Sequence, residues 1–202
     1  MTTVREVTAK LIAELRGRTG AGMMDCKKAL EEAGGDLEKA AEILRSRGAA
    51  KADKRAGRSA SEGLIEAYVH FNGKVAVLVE INCETDFVAR TDDFRQLAKD
   101  VALHIASARP LAVRIEDLPA ELVEREKRIY QAQVAEEQKP DAVKAKIVEG
   151  RLKKFYEESV LLEQKFVKDD TRTVGDLVTR LAANTGENVR VRRFTRFELG
   201  GN

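Results

Sequence analysis

Cys83 stands beside Glu84 at the end of an apolar run, and His70 lies across a turn from it. A thiol, a carboxylate and an imidazole are the groups from which a nucleophile and its base are assembled. A cysteine closing an apolar strand is more often a small core residue. No wider constellation of acid, base and nucleophile supports catalysis, so no enzyme is expected. Glu84, Asp86, Asp92 and Asp93 do not follow the spacing of a calcium loop, and neither a metal nor a cofactor is expected. Thr19-Gly20-Ala21-Gly22 ahead of a helical pattern hints at a phosphate cradle. The GxxxxGK[ST] pattern is absent, however, and glycines at 17, 20 and 22 more simply make a tight turn.

Bulk properties narrow the classes further. The 202 residues are 43% hydrophobic, enough for a domain and a small module, and 36 basic against 34 acidic residues leave a net charge of +2. Such a balance creates no field directed at nucleic acid or an anionic membrane, so a protein partner is the expected one. No apolar run approaches the roughly 20 residues that span a bilayer, and the N-terminal stretch mixes Glu6 and Glu14 with Arg5 and Lys10. Neither signal peptide nor anchor is read. Cys26 and Cys83 are far apart in sequence, without the pairing of a disulfide framework or zinc knuckle, which fits the cytoplasm.

The elements that position these residues follow from periodicity. Val4, Val7, Leu11 and Leu15 share a helical face that Gly17, Gly20 and Gly22 interrupt. Cys26, Ala29, Leu30 and Ala33 make a second stripe ending at Gly34-Gly35, and Leu37, Ala40, Ala41 and Leu44 a third ending at Gly48, with Asp36 as its N-cap. A three-helix domain is thus expected over 1–48. The segment 49–61 (AAKADKRAGRSAS) is small and basic, poor in large apolar residues, and reads as a linker.

Beyond it the period becomes two. Ile65, Ala67, Val69 and Phe71, then Val75, Val77, Val79 and Ile81, flank Asn72-Gly73, which predicts a β-hairpin with a type I′ turn. Leu64, Tyr68, Ala76 and Leu78 are expected on the other side, half suited to water, so self-association through a sheet face is expected. Phe94, Leu97, Ala98, Val101 and Ile105 mark an amphipathic helix ending before Pro110. Residues 119–166, rich in Glu, Lys, Gln and Ala and interrupted at Lys139-Pro140-Asp141, read as an inserted, projecting helical hairpin of coiled-coil type. Its expected stripe is Leu122, Ile129, Val143, Ile147, Leu152 and Phe155. Thr173 and Asp176 begin a further helix closed by Gly186, and Val189 to Phe197 read as a third strand. The fold class is α+β: an antiparallel three-stranded core over 62–118 and 167–202 carrying the hairpin.

Several strings now resemble one family in register. TGAGMMDCKKALEEAGGDLEKAAEILRSRGAAKADKRA resembles the N-terminal ubiquitin-associated-like (UBA-like) domain and linker of elongation factor Ts, and INCETDFVAR its TDFVA signature. EGRLKKFYEE, QKFVKDD, GENVRVRRF and RFELG are similar to the family in the expected order, across essentially the whole chain. The resemblance implies a guanine nucleotide exchange factor in translation elongation that binds elongation factor Tu in its GDP and nucleotide-free forms. Long members carry a duplicated core; this chain has room for one, which implies the short form, pairing as a homodimer.

Residue by residue, the resemblance implies that Thr85, Asp86, Phe87 and Val88 dislodge the partner's magnesium and that Arg16, Met23 and Met24 grip its GTPase domain. Without it, Phe87 would be expected in its own core. Asp86 is expected to cap the following segment, to bond the partner, or both. The competing reading is a UBA-like, coiled-coil adaptor that uses its first fifty or so residues on some other partner and its projecting hairpin as a scaffold.

Overall fold

The computed structural model describes residues 6–201, so Val4 lies outside them. Three helices open the chain: α1 (Ala9–Thr19), α2 (Met23–Glu32) and α3 (Leu37–Arg55). Thr8 caps α1 by accepting the Leu11 N–H at 3.3 Å, and Asp36 Oδ1 accepts the N–H groups of Glu38 and Lys39 at 2.9 and 3.1 Å. A cap of this kind contributes about 1 kcal/mol and marks where each helix starts. Leu15, Cys26, Ala29, Leu30 and Ala40 are fully buried together, with Val7, Leu11, Leu37 and Leu44 packed around them.

Helix α3 does not stop at Gly48. Ala49, Ala50, Lys51, Ala52, Lys54 and Arg55 are strong helix formers, and one interior glycine costs only about 1 kcal/mol. The front of segment 49–61 is therefore helical, and Arg55 donates to the Ala182 carbonyl at 3.2 Å.

Strands β1 (Glu62–Val69), β2 (Val75–Cys83) and β5 (Arg190–Glu198) form an antiparallel sheet in the order β1-β2-β5. The loop between β1 and β2 differs from the expected type I′ turn. His70 N–H donates to the Val75 carbonyl and Gly73 N–H to that of His70, and Gly73 alone takes positive φ, at 68°. Asn72 instead accepts the Lys74 N–H on its side chain at 2.9 Å, an Asx turn. Because His70 pairs with Val75, odd residues of β1 share a face with even residues of β2. Val77, Val79 and Ile81 are buried, whereas Ile65, Val69, Leu78 and Phe197 are exposed. The half-apolar outer face is thus Ile65, Ala67, Val69, Ala76 and Leu78, not the expected Leu64 and Tyr68 with Ala76 and Leu78.

Between β2 and β5 lie α4 (Asp86–Ala89), α5 (Asp92–Ala108), α6 (Ala120–Ala135), α7 (Asp141–Ser159), β3 (Lys165–Phe166), β4 (Asp169–Thr173) and α8 (Val174–Thr185). Helices α6 and α7 make the helical hairpin, but Val134 and Val148 are its buried residues while Ile129 and Val143 stay exposed. At its base Leu122, Val123, Phe155 and Tyr156 pack on Ala112, Leu118 and Val160. The antiparallel pair β3-β4 was not expected, because two and five residues are too short for a period to be read. A reciprocal box starts α8: Thr173 N–H donates to Asp176 Oδ2 and Asp176 N–H to Thr173 Oγ1, both at 3.0 Å.

The chain divides into two compact units. One gathers the residues up to Leu64 with Ile81–Leu97 and Leu177–Arg190; the other gathers Ile65–Glu80, Ala98–Asp176 and the residues from Val191 onward. The candidate site lies in the first.

Candidate functional site

Thr85, Asp86, Phe87 and Val88 follow directly on β2. Thr85 keeps extended backbone angles (φ −128°, ψ 153°) and its hydroxyl oxygen accepts the Val88 N–H at 3.4 Å, making it the N-cap of α4. Threonine suits that place because its oxygen reaches a donor that a helix leaves unpaired. Asp86 is therefore not the cap: it is the first helical residue and pairs with Arg90 at 2.6 Å, one turn on. Phe87 points out, 78% exposed, while Ala89 on the opposite side is buried. Thr91 then accepts the Phe94 N–H at 3.3 Å and passes the chain into α5, where Phe94 is fully buried. Of two phenylalanines seven positions apart, one anchors the segment and the other projects from it.

Two carboxylates fasten this segment to the loop after α8. Glu187 Oε2 accepts the N–H groups of Glu84 and Thr85, each at 3.1 Å, and its Oε1 accepts the Thr85 hydroxyl at 2.6 Å. In return Glu84 Oε1 accepts the Asn188 N–H at 2.6 Å and the Arg58 guanidinium at 3.4 Å. Asn188 Nδ2 donates to the carbonyls of Ala56 and Arg58 at 3.3 and 2.9 Å. Hydrogen bonds to charged groups contribute about 1.5–3 kcal/mol each, so the backbone at 84–85 is held far better than a free loop.

Cys83 is buried beneath this clasp, and its thiol donates to the Thr85 carbonyl at 3.1 Å. Burial, with the Glu187 charge second, pushes the thiol up to about 11. It is protonated at neutral pH and behaves as a core residue. Among the described residues no cluster of three or more His, Cys, Asp or Glu is placed to hold a metal ion.

Met23 and Met24, the first residues of α2, are 60% and 62% exposed, and Arg16 near the end of α1 is exposed too. Neighbouring helical residues point about 100° apart, so the two methionines cannot both face inward, and here neither does. Sequence reasoning missed Glu187, which lies in GENV next to the helix-ending Gly186 (φ 76°) and 102 residues from Thr85. No local spacing announces a partner at that range.

The family model described as Elongation factor TS matches residues 51–201. The elongation factor Ts of Thermotoga petrophila is 58% identical over 195 residues, covering 96% of this chain and 97% of the relative. The chain belongs to the elongation factor Ts family. The elongation factor Ts of Carboxydothermus hydrogenoformans is also 58% identical, over 96% of this chain and 89% of its own length. That of Thermosipho melanesiensis is 55% identical over 96% and 99%. The role is that of elongation factor Ts, nucleotide exchange in translation elongation, with elongation factor Tu as the partner the family implies. An adaptor with some other partner is not favoured. No helix among the described residues is long and apolar enough to cross a membrane.

Proposed function

We propose that the segment Thr85–Val88 is the wedge by which this elongation factor Ts loosens GDP from elongation factor Tu. The observation that carries the reading is the exposure of Phe87 on a four-residue helix whose entry is tied down. A phenylalanine left in water gains about 1.5–3 kcal/mol when it is buried elsewhere, here between helices of the partner's GTPase domain. That gain offsets distortion of the partner's magnesium site, on which GDP affinity depends. Asp86 supports the wedge beside it, and Thr85 and Val88 shape its turn. Arg16, Met23 and Met24 supply a separate grip, adaptable because thioethers fill irregular surfaces.

No covalent bond is made or broken in this cycle, so the protein is not an enzyme. Weakened GDP binding and weakened binding of the exchange factor by GDP are one coupling free energy, and GTP completes the cycle. The three N-terminal helices act as a UBA-like domain that takes in the front of the expected linker 49–61 as far as the end of α3 at Arg55. Helices α6 and α7 within 119–166 act as a projecting coiled coil, and 62–118 with 167–202 make the split core. Two copies pair through the outer sheet face of Ile65, Val69, Leu78 and Phe197, in the cytoplasm and without nucleic acid or membrane. Release of fluorescent GDP from elongation factor Tu tests the reading. Saturable acceleration by this chain supports it, and a rate equal to spontaneous release contradicts it.

A further inference from the structure

We infer that Glu187 is a positioning residue for exchange: by holding the backbone of Glu84 and Thr85 it presents Phe87 in its projecting orientation before the partner arrives. The inference rests on the wedge reading above. A helix of four residues cannot sustain itself, since nucleating one turn fixes several dihedral angles for a single hydrogen bond. It also carries an exposed aromatic ring, which in an unrestrained loop would collapse onto the nearest apolar surface. The ring nevertheless projects, so the restraint must come from outside the helix.

Glu187 supplies it. Its two oxygens take the two successive N–H groups that precede α4 and the hydroxyl that caps it. The Thr85 oxygen thereby does two things at once, donating to Glu187 Oε1 at 2.6 Å and accepting the Val88 N–H at 3.4 Å. The carboxylate thus orients the cap, and the cap orients the turn bearing Phe87. Glu84 secures the arrangement in the other direction through the Asn188 N–H at 2.6 Å. Glu187 has no need to touch the partner. Its effect is to keep the fraction of molecules in the binding-competent arrangement close to one.

That mode of action has a kinetic signature. When only a fraction of a protein is competent, its apparent affinity falls by that fraction, while a saturating concentration still draws every molecule into the competent state. Loss of Glu187 therefore raises the concentration of exchange factor needed for half-maximal GDP release and leaves the maximal rate in place. Loss of the ring in Phe87→Ala lowers the maximal rate instead. The two roles are separable in one titration.

The test uses the full chain and elongation factor Tu loaded with fluorescent GDP, together with amide hydrogen exchange at Glu84 and Thr85. Glu187→Ala is expected to raise the half-saturating concentration about tenfold at an unchanged maximal rate and to speed exchange of both amides. Glu187→Gln, which keeps one acceptor oxygen, falls between it and the wild type. Thr85→Val removes the hydroxyl bond to Glu187 together with the cap on the Val88 N–H. If the Glu187 variants fail to fold it serves through the amide-exchange readout, where unchanged exchange at Glu84 and Thr85 counts against the clasp. Combined with Glu187→Gln it adds less than the sum of the two single effects, as partners in one interaction do. Fast amide exchange with an unaltered titration overturns the positioning role. So does a lowered maximal rate at unchanged half-saturation, which makes Glu187 part of the contact itself. If Phe87→Ala releases GDP like the wild type, the wedge reading has failed, whatever Glu187 does.

Discussion

The Thr85 hydroxyl donates to the Glu187 carboxylate across 102 residues of sequence at 2.6 Å, and Phe87 projects from the turn that this bond holds. The exposed ring is a property of that scaffold, which comprises the end of β2, the loop after α8 and the chain leaving α3. Each piece is ordinary: an N-cap threonine, a glycine helix stop, an asparagine bonding two carbonyls. Together they keep a large apolar side chain in water.

Stability is expected to fall in mild acid through His104. This residue is buried, its Nε2 donates to Gln164 Oε1 at 3.0 Å, and its Nδ1 accepts the Val167 N–H at 3.2 Å. Burial holds its pKa below the ordinary 6.5, and the Gln164 bond offsets this only in part. The neutral form is the one the fold accepts, so its contribution is complete above 6.5. As pH falls below that value the unfolded chain takes the proton first, and stability declines until the folded pKa is passed. Urea midpoints should drop on going below pH 6.5, and His104→Gln should flatten that decline.

Gly63→Ala should be among the most damaging single-methyl changes. Gly63 has φ 140°, and a Cβ there would stand 2.0 Å from the Ile81 carbonyl oxygen and 2.8 Å from the Asn82 Cα, both backbone atoms of a buried strand. Left-handed strain and overpacking together cost on the order of 3 kcal/mol. Thermal unfolding should show a Tm lowered by many degrees; a wild-type Tm contradicts the close approach.

The outer sheet face predicts the assembly. Ile65, Val69, Leu78 and Phe197 are exposed on neighbouring strands, and contiguous apolar surface of this kind marks a contact with another protein. Sedimentation at micromolar concentration should give a dimer. Leu78→Glu should give a monomer, since a charge buried without a partner costs several kcal/mol.

The methionines provide a separate prediction. Met23→Ala with Met24→Ala should leave the three-helix core intact, because neither contributes to Leu15, Cys26, Ala29, Leu30 and Ala40. It should weaken association with elongation factor Tu about tenfold or more, the burial of one such side chain being worth about 1.5–3 kcal/mol. Calorimetric titration reads this directly, and an unchanged affinity removes these residues from the grip.

What was legible in the sequence was local. Asp36 and the Thr173–Asp176 box act within a few residues of themselves, and both stand where their spacing puts them. The helical pattern of 94–105 and the strand alternation of 75–81 survive for the same reason, since burial of one face enforces the period. Features that depend on pairing were not legible. The face carrying Ile65 and Val69 was misassigned because it depends on which residues meet across the Phe71–Lys74 loop. Glu187 was passed over because its partner lies a hundred or so residues away. Phe87 was legible only through resemblance, since its residue type alone argues for a place inside.

In the proposed wedge the Phe87 ring drives nucleotide release. The direct measurement is the maximal rate of fluorescent GDP release from elongation factor Tu at saturating exchange factor, wild type against Phe87→Ala, with folding checked by circular dichroism. Removing the ring from an already exposed position should leave the spectrum unchanged and lower the maximal acceleration about tenfold or more. A folded Phe87→Ala that releases GDP at the wild-type rate would contradict the account.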